Sequence, residues 1–236
     1  MRRGAPGAGG GVSKLLVVVP SRGRPHSIAR LWQAMSETCT GDTTLLVGLD
    51  EDDPVREAYP AGPEYVVRSG LRQVVAWINY LTAPRYLDGY DYVGTIGDDN
   101  VPRTPGWDVA IMDALTRQPF AFGNDLYPFR PPGVLATHVF TRAEVIGALG
   151  YFGPPALRHS FVDDVWTTWG TAAGITFLPE VVIEHLHFTT GAPHDDTYAR
   201  SQAVMATDQA VYAAYCQDGL YADITRIIAV TPELPA

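Results

Sequence analysis

Residues 91–107 read DYVGTIGDDNVPRTPGW, an apolar run that passes straight into Asp98, Asp99 and Asn100. Clustered carboxylates at strand ends repel one another unless something cationic sits between them. A hard divalent ion is the simplest partner, because Mg2+ or Mn2+ takes oxygen ligands and shares them with substrate phosphates. A solvated turn is the competing reading, since Asp and Asn suit turns. The strand before the triplet and VPRTPGW after it weaken that alternative.

The flanking sequence supplies the frame. KLLVVVP (14–20) is a short β-branched run ended by Pro20 and reads as a buried strand. SRGRP is a loop, and Pro25 stands where a first helical turn accepts proline. Ile28, Leu31, Trp32 and Met35 then share one helical face. TTLLVGLDEDDP (43–54) is a second buried strand that runs into acids, and EYVVRS (64–69) a short third one. A helix is expected over 71–86, a strand over 92–100 and a helix over 105–118. Further on, strands are expected over 121–127 and 133–141, and helices over 142–150, 160–174 and 197–219. ITFLPEVVIEHLHF (175–188) reads as a strand pair or a bent strand.

Strand–helix alternation with apolar, non-alternating strands predicts an α/β fold with a mostly parallel sheet flanked by helices. Ligands of such sheets collect beyond the carboxyl ends of the strands. Three of those ends are polar: Ser21, Arg22 and Arg24; Asp50, Asp52 and Asp53; and Asp98 to Asn100. They are expected to converge on one edge. No linker interrupts residues 14–236, which read as a single domain after a Gly-rich, disordered leader at 1–13.

Composition narrows the function. The 236 residues carry a net charge of −9, which argues against broad phosphate-backbone binding but leaves room for a phosphate held through a metal. Cys39 and Cys216 are too few and too far apart for a disulfide scaffold, so a reducing cytoplasm is expected. No apolar run approaches a membrane span, and the N-terminus lacks the apolar region of a signal peptide.

VVVPSRGRP, GLDEDDP, IGDDNVPRTPGWD, PPALRHSFVDDVW and LPEVVIEHLH follow one another in that order. Together they resemble the glycosyltransferase GT-A fold, and more narrowly the family-two-like glycosyltransferases of actinobacterial phages. The resemblance covers about residues 14–198. It implies a UDP- or GDP-sugar donor, Mn2+ or Mg2+, and an acceptor that is a virion protein, a glycan or a modified DNA base. The acidic charge leans away from DNA. A phage enzyme would work in the host cytoplasm.

The resemblance also implies roles. Pro20, Ser21, Arg22 and Arg24 would lie near base, ribose or phosphates, with Asp50 and Asp52 at the nucleoside. Asp99 would be the direct metal ligand, as the last carboxylate of an Asp-x-Asp motif whose first position is Gly97. Asp98 would make a ribose or water-mediated contact. Asp163, with Asp164 in reserve, would deprotonate the acceptor if the reaction inverts. The two point about 100° apart on a helix, so one of them faces the cleft; acids favouring a helix first turn are the plainer alternative.

His185 and His187, two apart and so on one strand face, are candidate metal ligands, against the alternative of packed or capping histidines. HDD (194–196) suits a lid or, preferably, the N-cap of the last helix. Trp107, Tyr127, Phe129, Trp166 and Trp169 would line a pocket or fill the core, Trp107 being the best pocket candidate. Arg158 and His159 suit the leaving diphosphate or an ordinary loop. The rival enzyme is a nucleotidyltransferase making a sugar nucleotide, although SRGRP is a poor match to its loop. A non-catalytic nucleotide-sugar- or carbohydrate-binding module is the other rival. A haloacid-dehalogenase-like phosphatase is disfavoured by Pro54 and by the absence of any lysine but Lys14. Removing Asp99 is expected to stop turnover with stability unchanged or slightly raised, as a repulsive cluster is relieved.

Overall fold

The computed structural model describes residues 12–191 and 196–231. Most of the expected leader, and His194 and Asp195, lie outside the described residues. The first half alternates as β1 (Lys14–Ser21), α1 (Pro25–Thr38), β2 (Asp42–Asp50), β3 (Glu64–Arg68), α2 (Val74–Leu81), α3 (Pro84–Leu87), β4 (Tyr92–Thr95), β5 (Asn100–Pro102) and α4 (Trp107–Arg117). There follow β6 (Phe120–Asn124), β7 (Val139–Arg142), α5 (Ala143–Leu149), α6 (Val162–Ala173), β8 (Ile175–His185), α7 (Asp196–Asp218) and α8 (Leu220–Val230).

One mixed sheet runs β3-β2-β1-β4-β7-β6-β8-β5. β3, β2, β1 and β4 are mutually parallel, as the alternation predicts. β7 is antiparallel to β4 and β6, and β5 to β8. Leu15 to Val19 in β1 are at most 1% exposed, because helices cover both faces of this central strand. Leu15, Val17 and Val19 meet Ile28, Leu31, Trp107 and Ile111 on one side. Leu16 and Val18 belong to the other layer, with Trp77, Ile78, Trp166 and Trp169. Each fully buried aliphatic contributes about 1.5–3 kcal/mol, so this five-residue run is worth on the order of 10 kcal/mol before chain entropy is counted.

Three local departures from the sequence expectation shape the site. The strand expected over 92–100 stops at Thr95, and Asp98 and Asp99 occupy a turn closed by the Asn100 N–H donating to the Gly97 carbonyl at 3.0 Å. The Asn100 side-chain oxygen accepts from the Gly97 N–H and tightens it. The helix expected over 71–86 is broken in two, with Pro84 opening the second piece, because proline disfavours helix in the residue before it. β8 is the bent strand: its pairing with β6 jumps from Gly123↔Leu178 to Asn124↔Val182, and the bulge re-aims its far end toward β5.

Trp107, proposed from sequence as a pocket residue, is fully buried against Phe140, with ring centroids 5.6 Å apart. Trp166 and Trp169 are core as well. Each sits on the inward face of an amphipathic helix, where its large apolar area is removed from water.

Candidate active site

The carboxyl ends of β1, β2 and β4 do converge. β1 runs three residues past the last partner of β4, which brings Ser21 level with the 97–100 turn. Ser21 Oγ donates to Asp98 Oδ2 at 2.7 Å, and Arg24 Nη1 donates to Asp98 Oδ1 at 2.8 Å. The same guanidinium lies 3.6 Å from Asp99 Oδ2. Asp98 is buried, and that burial, reinforced by the Asp99 charge, pushes its carboxyl up to about 6. Ser21 and Arg24 therefore grip Asp98 from the loop after β1.

Asp99 is the better-exposed and better-ionised member of the pair. His185 Nε2 lies 3.4 Å from Asp99 Oδ1, and the Tyr198 hydroxyl donates to Asp99 Oδ2 at 2.7 Å. Burial alone would raise the Asp99 carboxyl, but His185, Tyr198 and Arg24 outweigh it and hold the group below the usual carboxylate range. Register explains the His185 contact: β5 pairs antiparallel with β8 so that Asn100 sits opposite His185. The Leu186 N–H also donates to the Asp99 carbonyl at 2.9 Å, which closes the corner.

His187 does not share His185's position. β8 ends at His185, and the His187 side chain caps the following 188–190 turn, accepting from the Thr189 N–H. Its ring stands edge-on to His185 at 5.2 Å. Of the two histidines, His185 is therefore the one presented to Asp99.

At the end of β2, Asp50 is 3% exposed and already accepts from Trp77 Nε1 at 2.9 Å, from Arg22 Nη1 at 3.1 Å and from the Arg72 N–H at 3.3 Å. Gly48 makes the first contact possible, since a Cβ there would stand 2.5 Å from the Trp77 ring. Asp52 is exposed and takes Arg22 and Arg72, each at 2.6 Å. Asp53 instead anchors the loop after β1 through the Gly23 N–H at 2.8 Å. Arg22, Asp52 and Arg72 thus form the open polar rim, with Asp50 as its buried support. Pro20 remains half-buried beside them.

Asp163 and Asp164 occupy the first turn of α6, both half-buried. Burial, with the Asp164 charge adding to it, pushes the Asp163 carboxyl up to about 6. The Arg130 charge favours the ionised form of Asp163 and disfavours the protonated form of His185, in each case as the smallest of several influences. Arg130 is itself ion-paired with Asp125, whose carbonyl accepts from the His185 N–H at 3.0 Å. His159 lies close enough to Asp99 and Arg24 to feel both charges. Its backbone N–H, with those of Arg158 and Ser160, is held by the buried Asp208 carboxylate on α7, an arrangement that fixes the 158–160 loop as a structural element.

Tyr198 and the Asp125–Arg130 pair were missed by sequence reasoning. Tyr198 ties three segments together: its ring lies 4.7 Å from the Arg24 guanidinium and 5.1 Å from His187, while its hydroxyl holds Asp99. Nothing periodic marks it, and only its chain position beside the family-like stretch hinted at it. Tyr198→Phe keeps the ring and removes the hydroxyl. If Asp99 serves as a metal ligand, this substitution is expected to weaken Mn2+ binding about tenfold, as loss of a group that orients such a ligand does, with a nearly unchanged melting temperature. Electron paramagnetic resonance titration of Mn2+ checks this.

Gly97 stands where an Asp-x-Asp motif would begin, and the turn explains the glycine. A Cβ at 97 would lie 2.5 Å from Asp99 Oδ1 and 2.8 Å from Asn100 Oδ1. Those atoms end flexible side chains, so Gly97→Ala is expected to fold. It should displace Asp99 from His185, and if that pair holds a divalent cation, weakened Mn2+ binding is the expected readout.

No protein-family model and no curated protein sequence matches the chain. Solved structures do match it. S. aureus TarS 1–349 in complex with UDP superposes with a TM-score of 0.55 at 12% identity, covering 72% of this chain and 59% of that one. Glucosyl-3-phosphoglycerate synthase from Mycobacterium tuberculosis, with Mn2+, UDP-glucose and phosphoglyceric acid, gives 0.56 at 16% identity over 85% and 79%. The mannosyltransferase PcManGT from Pyrobaculum calidifontis, with GDP-Man and Mn2+, gives 0.55 at 11% identity over 92% and 80%. The chain has the GT-A fold. At these identities the likeness establishes the fold alone, and this chain spans 59% of the TarS fragment's length. Within the GT-A frame, the described residues contain no helix long and apolar enough to cross a membrane.

Proposed function

We propose that this GT-A protein is a metal-dependent glycosyltransferase. It moves a sugar from a UDP- or GDP-sugar to an acceptor hydroxyl on a virion protein, a glycan or a modified DNA base, with inversion at the anomeric carbon. The observation that carries the reading is the pairing of Asp99 with His185 at the converging strand ends. The order of motifs supports a phage-type, family-two-like enzyme working in a host cytoplasm, and the two free cysteines suit that compartment.

The residues present fit a divalent cation. A strongly ionised carboxylate oxygen and an imidazole nitrogen lie side by side, a mixed donor set that Mn2+ accepts. Among the described residues no group of three or more His, Cys, Asp and Glu forms a closed metal site. That suits an ion that takes its remaining ligands from diphosphate and water. Asp99 and His185 would hold it, and its chemistry would be neutralisation of the charge on the departing diphosphate. Arg24, buried and committed to Asp98 and Asp99, sets the shape of the turn. Asp98, Arg22 and Asp52 offer hydrogen-bonding groups to ribose and base.

Asp163 acts as general base. Its raised carboxyl pKa brings it close to neutral, where a general base combines ionisation with proton affinity. The acceptor hydroxyl gives its proton to an Asp163 oxygen while the acceptor oxygen bonds to the anomeric carbon. The bond from that carbon to the diphosphate breaks, and its electron pair leaves with the diphosphate. Thermal shift against a panel of nucleotide sugars, with and without Mn2+, tests the reading. A ligand at about 100 times its Kd adds about 2.7 kcal/mol, so a clear Mn2+-dependent rise is expected with one UDP- or GDP-sugar. No rise with any of them would sink the proposal.

A further inference from the structure

Ten large apolar side chains among the described residues are exposed, and most are scattered. Leu126, Phe129 and Val134, at 50%, 69% and 58% exposure, instead fall together between β6 and β7. Isolated exposed hydrophobics need no explanation, but three in one loop that also contacts the candidate site call for one.

The loop that carries them is held in shape. Asn124 Oδ1 accepts from the Leu126 N–H at 3.0 Å, and Asp125 Oδ1 accepts from the Tyr127 N–H at 3.1 Å. The Asp125 carboxylate also pairs with Arg130 and accepts from Thr137 Oγ1 at 2.7 Å. The Arg130 guanidinium lies 4.7 Å from the Tyr127 ring centroid, and Phe129 stands edge-on to that ring at 5.5 Å. Leu126 is kept at φ +55°, a conformation that a branched side chain adopts only when its surroundings impose it.

The same loop is built into the candidate site. The Asp125 carbonyl accepts from His185, and the Tyr127 ring meets His187 at 5.9 Å. Downstream, the Ala136 N–H donates to Thr167 Oγ1, which itself donates to the Asp163 carbonyl at 2.7 Å. The loop thus bridges the metal-side histidines and the helix of the proposed base. Its two charged residues neutralise each other, so it offers a partner apolar surface without net charge.

We infer that residues 126–134 form the acceptor-side specificity surface, and that it takes an acceptor whose reacting hydroxyl lies next to an aromatic or other apolar ring group. The inference rests on the glycosyl-transfer reading and adds the acceptor's chemistry to it. An uncharged apolar group next to the hydroxyl would cover Phe129 and Leu126 as the hydroxyl reaches Asp163. A methyl glycoside leaves them in water.

The test uses the full chain and its Phe129→Ser and Leu126→Ser variants, all checked for an unchanged melting temperature. Aryl and methyl glycosides of the same sugars are compared, both as acceptors with Mn2+ and the nucleotide sugar and as ligands by ligand-observed NMR without donor. Wild-type protein is expected to favour the aryl series about tenfold, or about 1.4 kcal/mol. Both variants should lose that preference while donor binding is kept. Equal treatment of the two series, binding of neither, or a preference that survives both substitutions overturns the inference. So does a concentration-dependent dimer that Phe129→Ser dissociates without touching the aryl preference, since the surface would then belong to a second copy. Failure of the wild type to bind any nucleotide sugar defeats the glycosyltransferase reading instead, and the donor-free NMR comparison still judges the loop.

Discussion

On the proposed function, Asp99→Ala is expected to abolish Mn2+-dependent sugar release from the donor, by at least about a thousandfold, because loss of the proposed metal ligand would remove several kcal/mol of leaving-group stabilisation. The same substitution is expected to lower stability by about 1–3 kcal/mol. This reverses the sequence-based expectation of an unchanged or slightly raised stability. Two adjacent acids look like pure repulsion in one dimension. In the fold, Asp99 accepts from Tyr198 at 2.7 Å and faces His185 and Arg24 at 3.4 and 3.6 Å, so its charge is compensated. Removing it leaves a tyrosine hydroxyl without this acceptor and takes one carboxylate partner from Arg24. Calorimetry in metal-free buffer, beside a donor-hydrolysis assay, measures both effects. Retained hydrolysis would move the metal site elsewhere.

Asp163→Asn has the second large effect, and here activity and stability move in opposite directions. With Asp163 in its proposed role, transfer should fall by about 10^2–10^4-fold, the usual contribution of a general base, while donor affinity stays unchanged. Stability should rise. The Asp163 carboxyl titrates at about 6 in the folded chain, against about 3.9 for an unfolded aspartate. The folded state therefore binds more protons between those values, and the stability contributed by this group falls as pH rises through the window. The amide has no charge to desolvate. The variant should match wild type below pH ~4 and exceed it above pH ~6 by about 1–2 kcal/mol, after allowing for solvent screening of a half-buried group. Denaturation at several pH values on both proteins isolates the difference, since titrating groups distant from residue 163 cancel and Asp164, whose charge acts on Asp163, belongs to the same effect. A flat difference across pH would mean that Asp163 is not held in a desolvated position.

Much of this was legible in the chain. The unbroken apolar run of β1, ended by Pro20, read as a buried strand, and the same logic found β2 and the helices beside them. The convergence of Ser21, Arg24, Asp50 and Asp98 followed from parallel strands ending on one edge. Trp107 was misjudged, because a tryptophan in a Pro/Gly turn looks identical in sequence whether its ring enters a cleft or the core. The rotation of α4 decides that, and it points inward. His185 and His187 were indistinguishable as a pair two apart until the strand was seen to end between them.

The sequence by itself determined the α/β class, the order of most first-half elements and the place of the acidic residues after an apolar strand, because hydrophobic periodicity and turn chemistry are local properties. Only the tertiary structure decided which acid faces which histidine, why a side chain at residue 97 would crowd Asp99 and Asn100, and that Tyr198 completes the cluster from about a hundred residues away. Those contacts depend on strand register, on the bulge in β8 and on where a distant helix lands. They are set by the packing of the whole sheet, and no window of neighbouring residues encodes them.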